Sequence, residues 1–296
     1  MQVTRMQRCD FGNLATWRET WVCHPLTPLF LAAGSLSLAS TAARTSFIGR
    51  SRMAPVDFLS PEGLRVDGRR ATETRLMRCE LGYTAQADGS AYFEQGNTKV
   101  IVNVSGPREA TKRKVDGAAT LTCEFTAMPF ATGEWRPQSN GDRTAAELAA
   151  SVRRIFEPVV QLQLYPRSQI DVSIMLLQAD GGVRSAVINA TTLALVDAGV
   201  AMEDFVCACS AGSMQGSLLL DLNSQEDSSA AELSVCFLPR TERVSFVQLE
   251  SKFPLSALQE ALNFAVQGCR HVFEFMQAQV EMKSQEILAS RGLIFA

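Results

Sequence analysis

From Met53 onward the chain switches between strand and helix periodicity in an order that few folds accept. Gly82–Phe93 reads as an early hairpin turning at Asp88-Gly89, and Lys99–Val104 (KVIVNV) is a β-branched strand. Leu121–Met128 is a further strand. Thr144–Leu164 places Leu148, Val152, Ile155 and Val159 on one helical face, with Pro158 kinking or ending the helix. Ile170–Leu177 (IDVSIMLL) is a buried strand, and Ser185–Asp197 is a helix that stops at Gly199. Four short strands follow at Phe205–Ala211, Ser217–Leu222, Leu233–Leu238 and Val244–Leu249. Leu255–Ser290 closes the chain as a long helical stretch with a break expected at Gly268. Several strands, a helix, a strand, a helix, four strands and a helix make an α+β (mixed α/β) sandwich. They exclude the regular alternation of a doubly wound Rossmann fold.

Composition narrows the function classes. Hydrophobic residues make up 46% of the 296 and charged residues 20%, so the chain buries a core without disulfide staples. The net charge of −3 excludes a globally basic nucleic-acid binder, but not a local basic site. The charge is also unevenly placed. Residues 1–52 hold six Arg, no Lys and two acids, a net of +4, whereas the remainder carries −7. This Arg-rich, Ser-rich leader reads either as an organelle transit peptide or as an extension ahead of a functional start at Met53. Its apolar run, Pro28–Ser40, is too short and polar to span a membrane. The expected organisation is a disordered or removed leader over 1–52 and one domain over 53–296. None of the eight cysteines forms a C-x-x-C pair, and Cys207 and Cys209 read as buried thiols on one strand face.

Two segments carry candidate chemistry. In Leu177–Leu193 (LQADGGVRSAVINATTL) a strand runs through Gly181-Gly182 into a helix. The glycines permit a tight turn and close approach of a ligand to the backbone. The helix start presents unpaired N–H groups, and Arg184 adds a guanidinium fork suited to phosphate. In Leu218–Ser229 (LLLDLNSQEDSS), Asp221, Glu226 and Asp227 end an apolar strand. Such carboxylates suit Mg²⁺, which takes one or two of them plus water and phosphate, or protonation of a leaving oxygen. Basic clusters at Arg108, Lys112, Arg113 and Lys114, and at Arg136, Arg143, Arg153 and Arg154, read as solvated faces or as an RNA track. Among the interleaved aromatics, Phe125 and Phe130 read as core, with a base stacking on one of Phe125, Phe130 or Trp135 as the alternative.

Taken together, GLRVDGRRATETR at 63–75, AQADGSAYFEQGNTKV at 85–100, YPRSQIDV at 165–172, LQADGGVRSAVINATTLALVDAGV at 177–200 and DFVCACSAG at 204–212 resemble the RNase PH superfamily, and within it the ring subunits of the RNA exosome. The resemblance covers about residues 60–290. It implies a fold of ribosomal-protein-S5-like βαβ units with a long C-terminal helix. It further implies a six-membered ring of homologous subunits threading RNA, with cap subunits and a hydrolytic nuclease as partners, working in the nucleus, nucleolus and cytoplasm. Active members degrade RNA from its 3′ end with inorganic phosphate as co-substrate, and two neighbouring subunits build each site.

On that resemblance, Gly181, Gly182, Val183 and Arg184 match the phosphate turn, with Val183 in place of a hydroxyl residue. Asp221 and Asp227 match the family's acidic pair, as catalytic residues and Mg²⁺ ligands. Arg108, Lys112, Arg113 and Arg143 match RNA-contacting positions, with Thr144 standing where a second arginine is usual. Two expectations follow: a phosphorolytic 3′→5′ exoribonuclease, or a catalytically silent subunit that holds the ring and threads RNA to a separate nuclease.

Overall fold

The computed structural model describes residues 59–60, 63–110, 118–133, 135, 142–214, 216–227, 229–253 and 255–291. The leader, Lys112–Lys114 and Arg136 lie outside the described residues. A first sheet holds five strands: β1 (Met77–Leu81), β2 (Gly89–Gln95), β3 (Thr98–Glu109), β4 (Thr120–Ala127) and β5 (Ser168–Gln178). Their order is β1-β2-β3-β5-β4, and β4 runs parallel to β5 while the other neighbours are antiparallel. A second, antiparallel sheet is ordered β7-β6-β8-β9, with β6 (Cys207–Met214), β7 (Ser217–Leu220), β8 (Ala231–Leu238) and β9 (Arg243–Leu249).

The helices are placed by their apolar faces. α1 (Arg143–Phe156) buries Val152, Ile155 and Phe156 and ends before Pro158, which cannot donate within a helix. α2 (Val183–Asp197) is apolar nearly all round, the pattern of a helix buried on every side, and it packs against β2 and β3 of one sheet and β6 of the other. Its Asn189 ties it to the second sheet, since the side-chain amide donates to Ala208 O at 3.0 Å and accepts from Ala208 N at 2.8 Å. A one-turn helix, α3, spans Ser224–Asp227 where the sequence reads as an acidic loop.

α4 (Leu255–Ser290) runs unbroken past Gly268. There the missing side chain lets the helix meet β6: a Cβ would lie 2.7 Å from Cys209 Sγ. Ala261, Ala265, Cys269, Val272 and Met276 form its buried stripe against β6 and β8. No described helix is long and apolar enough to cross a membrane. Cys207, Cys209, Cys236 and Cys269 are all buried free thiols, and burial pushes each one up, Cys236 to about 12, so none is a nucleophile.

The sequence reading misplaces one hairpin. Asp88-Gly89 is not the turn: Gly89 opens β2, and residues 82–88 form the connection from β1. Gly89 is glycine for a packing reason, because a Cβ there would fall 2.3 Å from Ala198 N.

Candidate active site

β5 ends at Gln178, and Asp180-Gly181-Gly182 carries the chain into α2. Both glycines take left-handed conformations, φ +74° and +59°. A Cβ on Gly181 would lie 2.5 Å from Leu222 O, and one on Gly182 would lie 2.7 Å from an Arg75 guanidinium nitrogen. The bare backbone therefore seats the turn directly on the 222–224 segment, and so brings it against the acidic motif. The Thr98 hydroxyl donates to Gly181 O at 2.9 Å and accepts from Asp180 N at 3.1 Å. The Asp180 carboxylate accepts from Asn97 Nδ2 at 2.9 Å and from Ser224 Oγ at 2.7 Å.

At the start of α2, the backbone N–H groups of Val183, Arg184 and Ser185 meet no acceptor among the described residues. They and the helix dipole favour an anion in front of the turn. The Val183 side chain is half-buried against the core. The Arg184 side chain is only 12% exposed, and its guanidinium donates to Glu250 Oε1 at 2.8 Å and reaches Ser151 Oγ of α1 at 3.5 Å.

The acidic residues fall into two kinds. Asp221, at φ +53° just after β7, is fully buried. Its Oδ2 accepts from Arg75 N at 2.8 Å and Arg75 Nε at 3.0 Å, and its Oδ1 accepts from the guanidinium at 2.6 Å. Burial alone raises such a carboxyl. The Arg75 hydrogen bonds and charge outweigh it and hold Asp221 below the usual carboxylate range. Glu226, also buried, is clasped by Arg65, with Nε to Oε1 at 2.8 Å and a second bond to Oε2. Arg65 and Arg69 also donate to the Asp221 carbonyl oxygen, at 3.0 and 3.2 Å. With no exposed oxygen and both oxygens on Arg75, Asp221 forms the inner half of an ion pair that anchors the 65–75 segment to the loop.

Asp227 is half-buried and is not enclosed in this way. Its carboxylate faces Glu232 of β8, whose Oε1 accepts from Ser234 Oγ at 3.3 Å. Burial, the facing Asp227 carboxylate and the charge of nearby Glu250 push Glu232 up to about 8. The backbone joins these groups to the arginine, since Glu250 N donates to Glu232 O at 3.3 Å. Among the described residues no group of three or more ligating side chains is gathered for a metal ion. Two facing carboxylates, strained enough to retain a proton near neutral pH, nonetheless suit Mg²⁺, which completes its shell with water and phosphate oxygens. Asp227 and Glu232 are the two carboxylates so placed, while Asp221 turns both oxygens to Arg75.

The basic positions are dispersed. Arg108, on the last turn-ward residues of β3, is exposed and 3.8 Å from Asp88. Arg143 opens α1 and is exposed, while Thr144 donates to the Asp142 carboxylate through both N (3.2 Å) and Oγ1 (3.0 Å), so that Asp142 caps the helix. Lys112 and Arg113 lie outside the described residues. Phe125 is half-buried against the core as expected, but Phe130 is 65% exposed and lines, with Lys99 and Gln178, a cleft of about 400 Å³ beside the end of β5. Sequence reasoning passed over Arg65, Arg75, Glu232 and Glu250. Glu232 left a faint mark, as an acid on an otherwise small and apolar strand; the arginines left none.

Two sheets, a buried helix entered through a glycine turn, and an acidic loop clamped beside that turn are the features of a phosphate-site α+β frame. Residues 73–201 match domain 1, and residues 204–268 domain 2, of the 3′ exoribonuclease family known as RNase PH. The chain belongs to that family. It is 41% identical over 244 residues to the exosome complex component RRP41 of Mus musculus, covering 81% of this chain and 100% of that one. It is 42% identical over 236 residues to the RRP41 homolog of Arabidopsis thaliana, covering 78% and 98%. Among solved structures, rice Rrp46 matches with a TM-score of 0.65 at 21% identity over 73% of this chain and 99% of the other. A chain of the Archaeoglobus fulgidus exosome with RNA bound to the active site matches with a TM-score of 0.63 at 22% identity, over 72% and 92%. At those identities the two structures bear on the fold, which is the RNase PH-like α+β fold with a long C-terminal helix.

Proposed function

We propose that this chain is a ring subunit of an RNA exosome and contributes a phosphorolytic half-site to it. The observation that carries the reading is the junction of the two motifs: the glycine turn sits on the backbone of the acidic loop, and Glu250 links Arg184 of the turn to Glu232, which faces Asp227. Inorganic phosphate would lie before the Val183–Ser185 N–H groups with Arg184 as its charged partner. The Asp227–Glu232 pair would hold Mg²⁺, which when bound supplies positive charge to the transferring phosphoryl group and the departing 3′-oxygen. Arg75 and Arg65 position this pair by locking the loop, and do not touch substrate. RNA would approach past Phe130 and Lys99, with Arg108, Lys112, Arg113 and Arg143 as phosphate contacts. Homologous ring subunits, cap subunits and a hydrolytic nuclease are the partners this reading requires, in nucleus, nucleolus and cytoplasm.

One observation favours the second reading, a silent subunit that threads RNA. The Val183 side chain offers no hydrogen bond to phosphate, which forfeits about 1 kcal/mol of binding. The backbone N–H at the same position keeps the anion site open. The deciding experiment uses a purified ring lacking its hydrolytic nuclease: 3′-labelled RNA is incubated with Mg²⁺, with and without phosphate. Release of nucleoside diphosphates only with phosphate supports the enzymatic reading, and no release at saturating phosphate leaves the threading role.

A further inference from the structure

Resting on the phosphate site proposed above, we propose that Glu250 is an internal placeholder for phosphate: its carboxylate competes with phosphate for the Arg184 guanidinium and must release it before phosphate can bind.

A guanidinium fork recognises carboxylate and phosphate with the same planar pair of donors, so a carboxylate carried on the same chain competes directly with the anion substrate. The contact is short, 2.8 Å from the Arg184 guanidinium to Glu250 Oε1. The arginine has little freedom to serve both partners at once, being 12% exposed and held on its other arm near Ser151 Oγ at 3.5 Å. Glu250 is differently placed. It lies one residue beyond β9, its side chain is 49% exposed, and its other side-chain neighbour is a 3.4 Å contact from Gln248 Nε2. It can therefore swing into solvent while Arg184 stays. The backbone bond from Glu250 N to Glu232 O fixes the strand end, so the swing is confined to the side chain.

The placement has a second consequence. Glu250 neutralises a guanidinium that would otherwise stand unpaired beside the N–H groups of the helix start. With phosphate present, the freed carboxylate stands near a doubly charged anion and the Asp227–Glu232 pair. Glu250 thus sets the threshold of phosphate concentration at which the site fills, and discriminates against weakly charged anions that cannot outcompete it. A half-exposed pair of this kind is worth a factor of about two to five in an equilibrium.

The test uses the assembled ring carrying this subunit as wild type, as Glu250→Gln, as Arg184→Ala, and as the double variant. Orthophosphate binding is measured by equilibrium dialysis without RNA, and the phosphate dependence of diphosphate release is measured with it. The R184A ring defines the binding that belongs to this site. Glu250→Gln is expected to lower the half-saturating phosphate concentration, and the dissociation constant for orthophosphate, about two- to fivefold. That gain should vanish in the double variant, and its vanishing separates competition for Arg184 from a general loosening of the strand end. Arg184-dependent phosphate binding that Glu250→Gln leaves unchanged or weakens overturns the placeholder while the phosphorolytic reading stands. Absence of any Arg184-dependent phosphate binding, in wild type and in Glu250→Gln alike, overturns both.

Discussion

On the proposal that Asp227 and Glu232 hold Mg²⁺, its binding competes with the proton the facing pair retains, and replacing Glu232 by Gln exposes that exchange. In the metal-free protein the pair titrates with an upper apparent value of about 8, set by burial, by Asp227 and by Glu250. At pH 7 the pair then retains about nine-tenths of a proton. Binding of Mg²⁺ should release that proton, and the apparent Mg²⁺ affinity should climb about ninetyfold between pH 6 and pH 9, levelling off above pH 8. In Glu232→Gln the neutral amide cannot titrate, so the affinity should be nearly flat over the same range and weaker at pH 9 for want of a carboxylate. Isothermal titration of the assembled ring with Mg²⁺, in two buffers of different ionisation heat, counts the released protons directly. Fewer than about 0.3 protons released at pH 7 by the wild type would refute the pairing. So would an unaltered pH dependence in Glu232→Gln. The same linkage has a definite sign for stability. A carboxyl whose folded value is raised stabilises the fold below its unfolded value of about 4.5, and that contribution is lost as pH rises through about 8. Without Mg²⁺, the wild-type melting temperature should therefore fall relative to Glu232→Gln across that window, and Mg²⁺ should restore it.

The other expectations concern the frame around the pair. Asp221→Asn leaves the Arg75 guanidinium buried without its counter-charge and should cost about 3–5 kcal/mol, seen as a large drop in melting temperature or loss of ring assembly; a stably assembled variant defective only in catalysis would instead make Asp221 a reacting group. Gly181→Ala forces a Cβ to within 2.5 Å of Leu222 O at φ +74° and should cost about 1–3 kcal/mol, measurable by thermal unfolding, with Mg²⁺ and phosphate binding weakened together because the two motifs are pushed apart. Val183→Thr restores a hydroxyl at the phosphate turn and should lower the half-saturating phosphate concentration by up to about tenfold in the diphosphate-release assay, with no change in RNA affinity.

How far the sequence foretold this arrangement depends on the range over which each residue acts. Among the described residues α2, α4 and most of the strands were legible within a few residues, because their burial is periodic, as KVIVNV and IDVSIMLL show; β1 at Met77–Leu81 and the one-turn α3 at Ser224–Asp227 carry no such local period and were not. Gly181-Gly182 and Arg184 were legible as an anion turn for the same reason, since strand, turn and helix start lie within eight residues. Asp221 reads in the sequence as part of an open cluster with Glu226 and Asp227, whereas its partner in the structure is Arg75, 146 residues away. No local pattern distinguishes a carboxylate awaiting a metal from one already holding an arginine. Phe130 was read as core for want of knowing that the segment after β4 turns outward. Glu232 and Glu250 acquire meaning only through the pairing of β8 with β9, a register that neither strand states alone.

The division of the acids into sealed and open groups explains why the loop needs so many of them. A loop that presents two carboxylates to each other is pushed to open by their mutual repulsion, and Glu232 shows that strain in its raised value. The two sealed acids oppose it. Asp221 draws in Arg75 and Glu226 draws in Arg65, each through two or more hydrogen bonds in dry surroundings. Neither pair is necessarily a net gain in stability over apolar packing, because both charges are desolvated. Their effect is directional: Arg65, by also holding the carbonyl oxygens of Leu220 and Asp221, fixes where the strand ends and the one-turn helix begins. That fixes which way Asp227 points. Glycines 181 and 182 then bring the anion turn onto the same fixed backbone, so the position of Arg184 and the position of Asp227 are set by one rigid junction. On the proposed reading the site holds an anion and a cation close together, and such a junction serves it, with Glu250 guarding the arginine and a proton guarding the carboxylates.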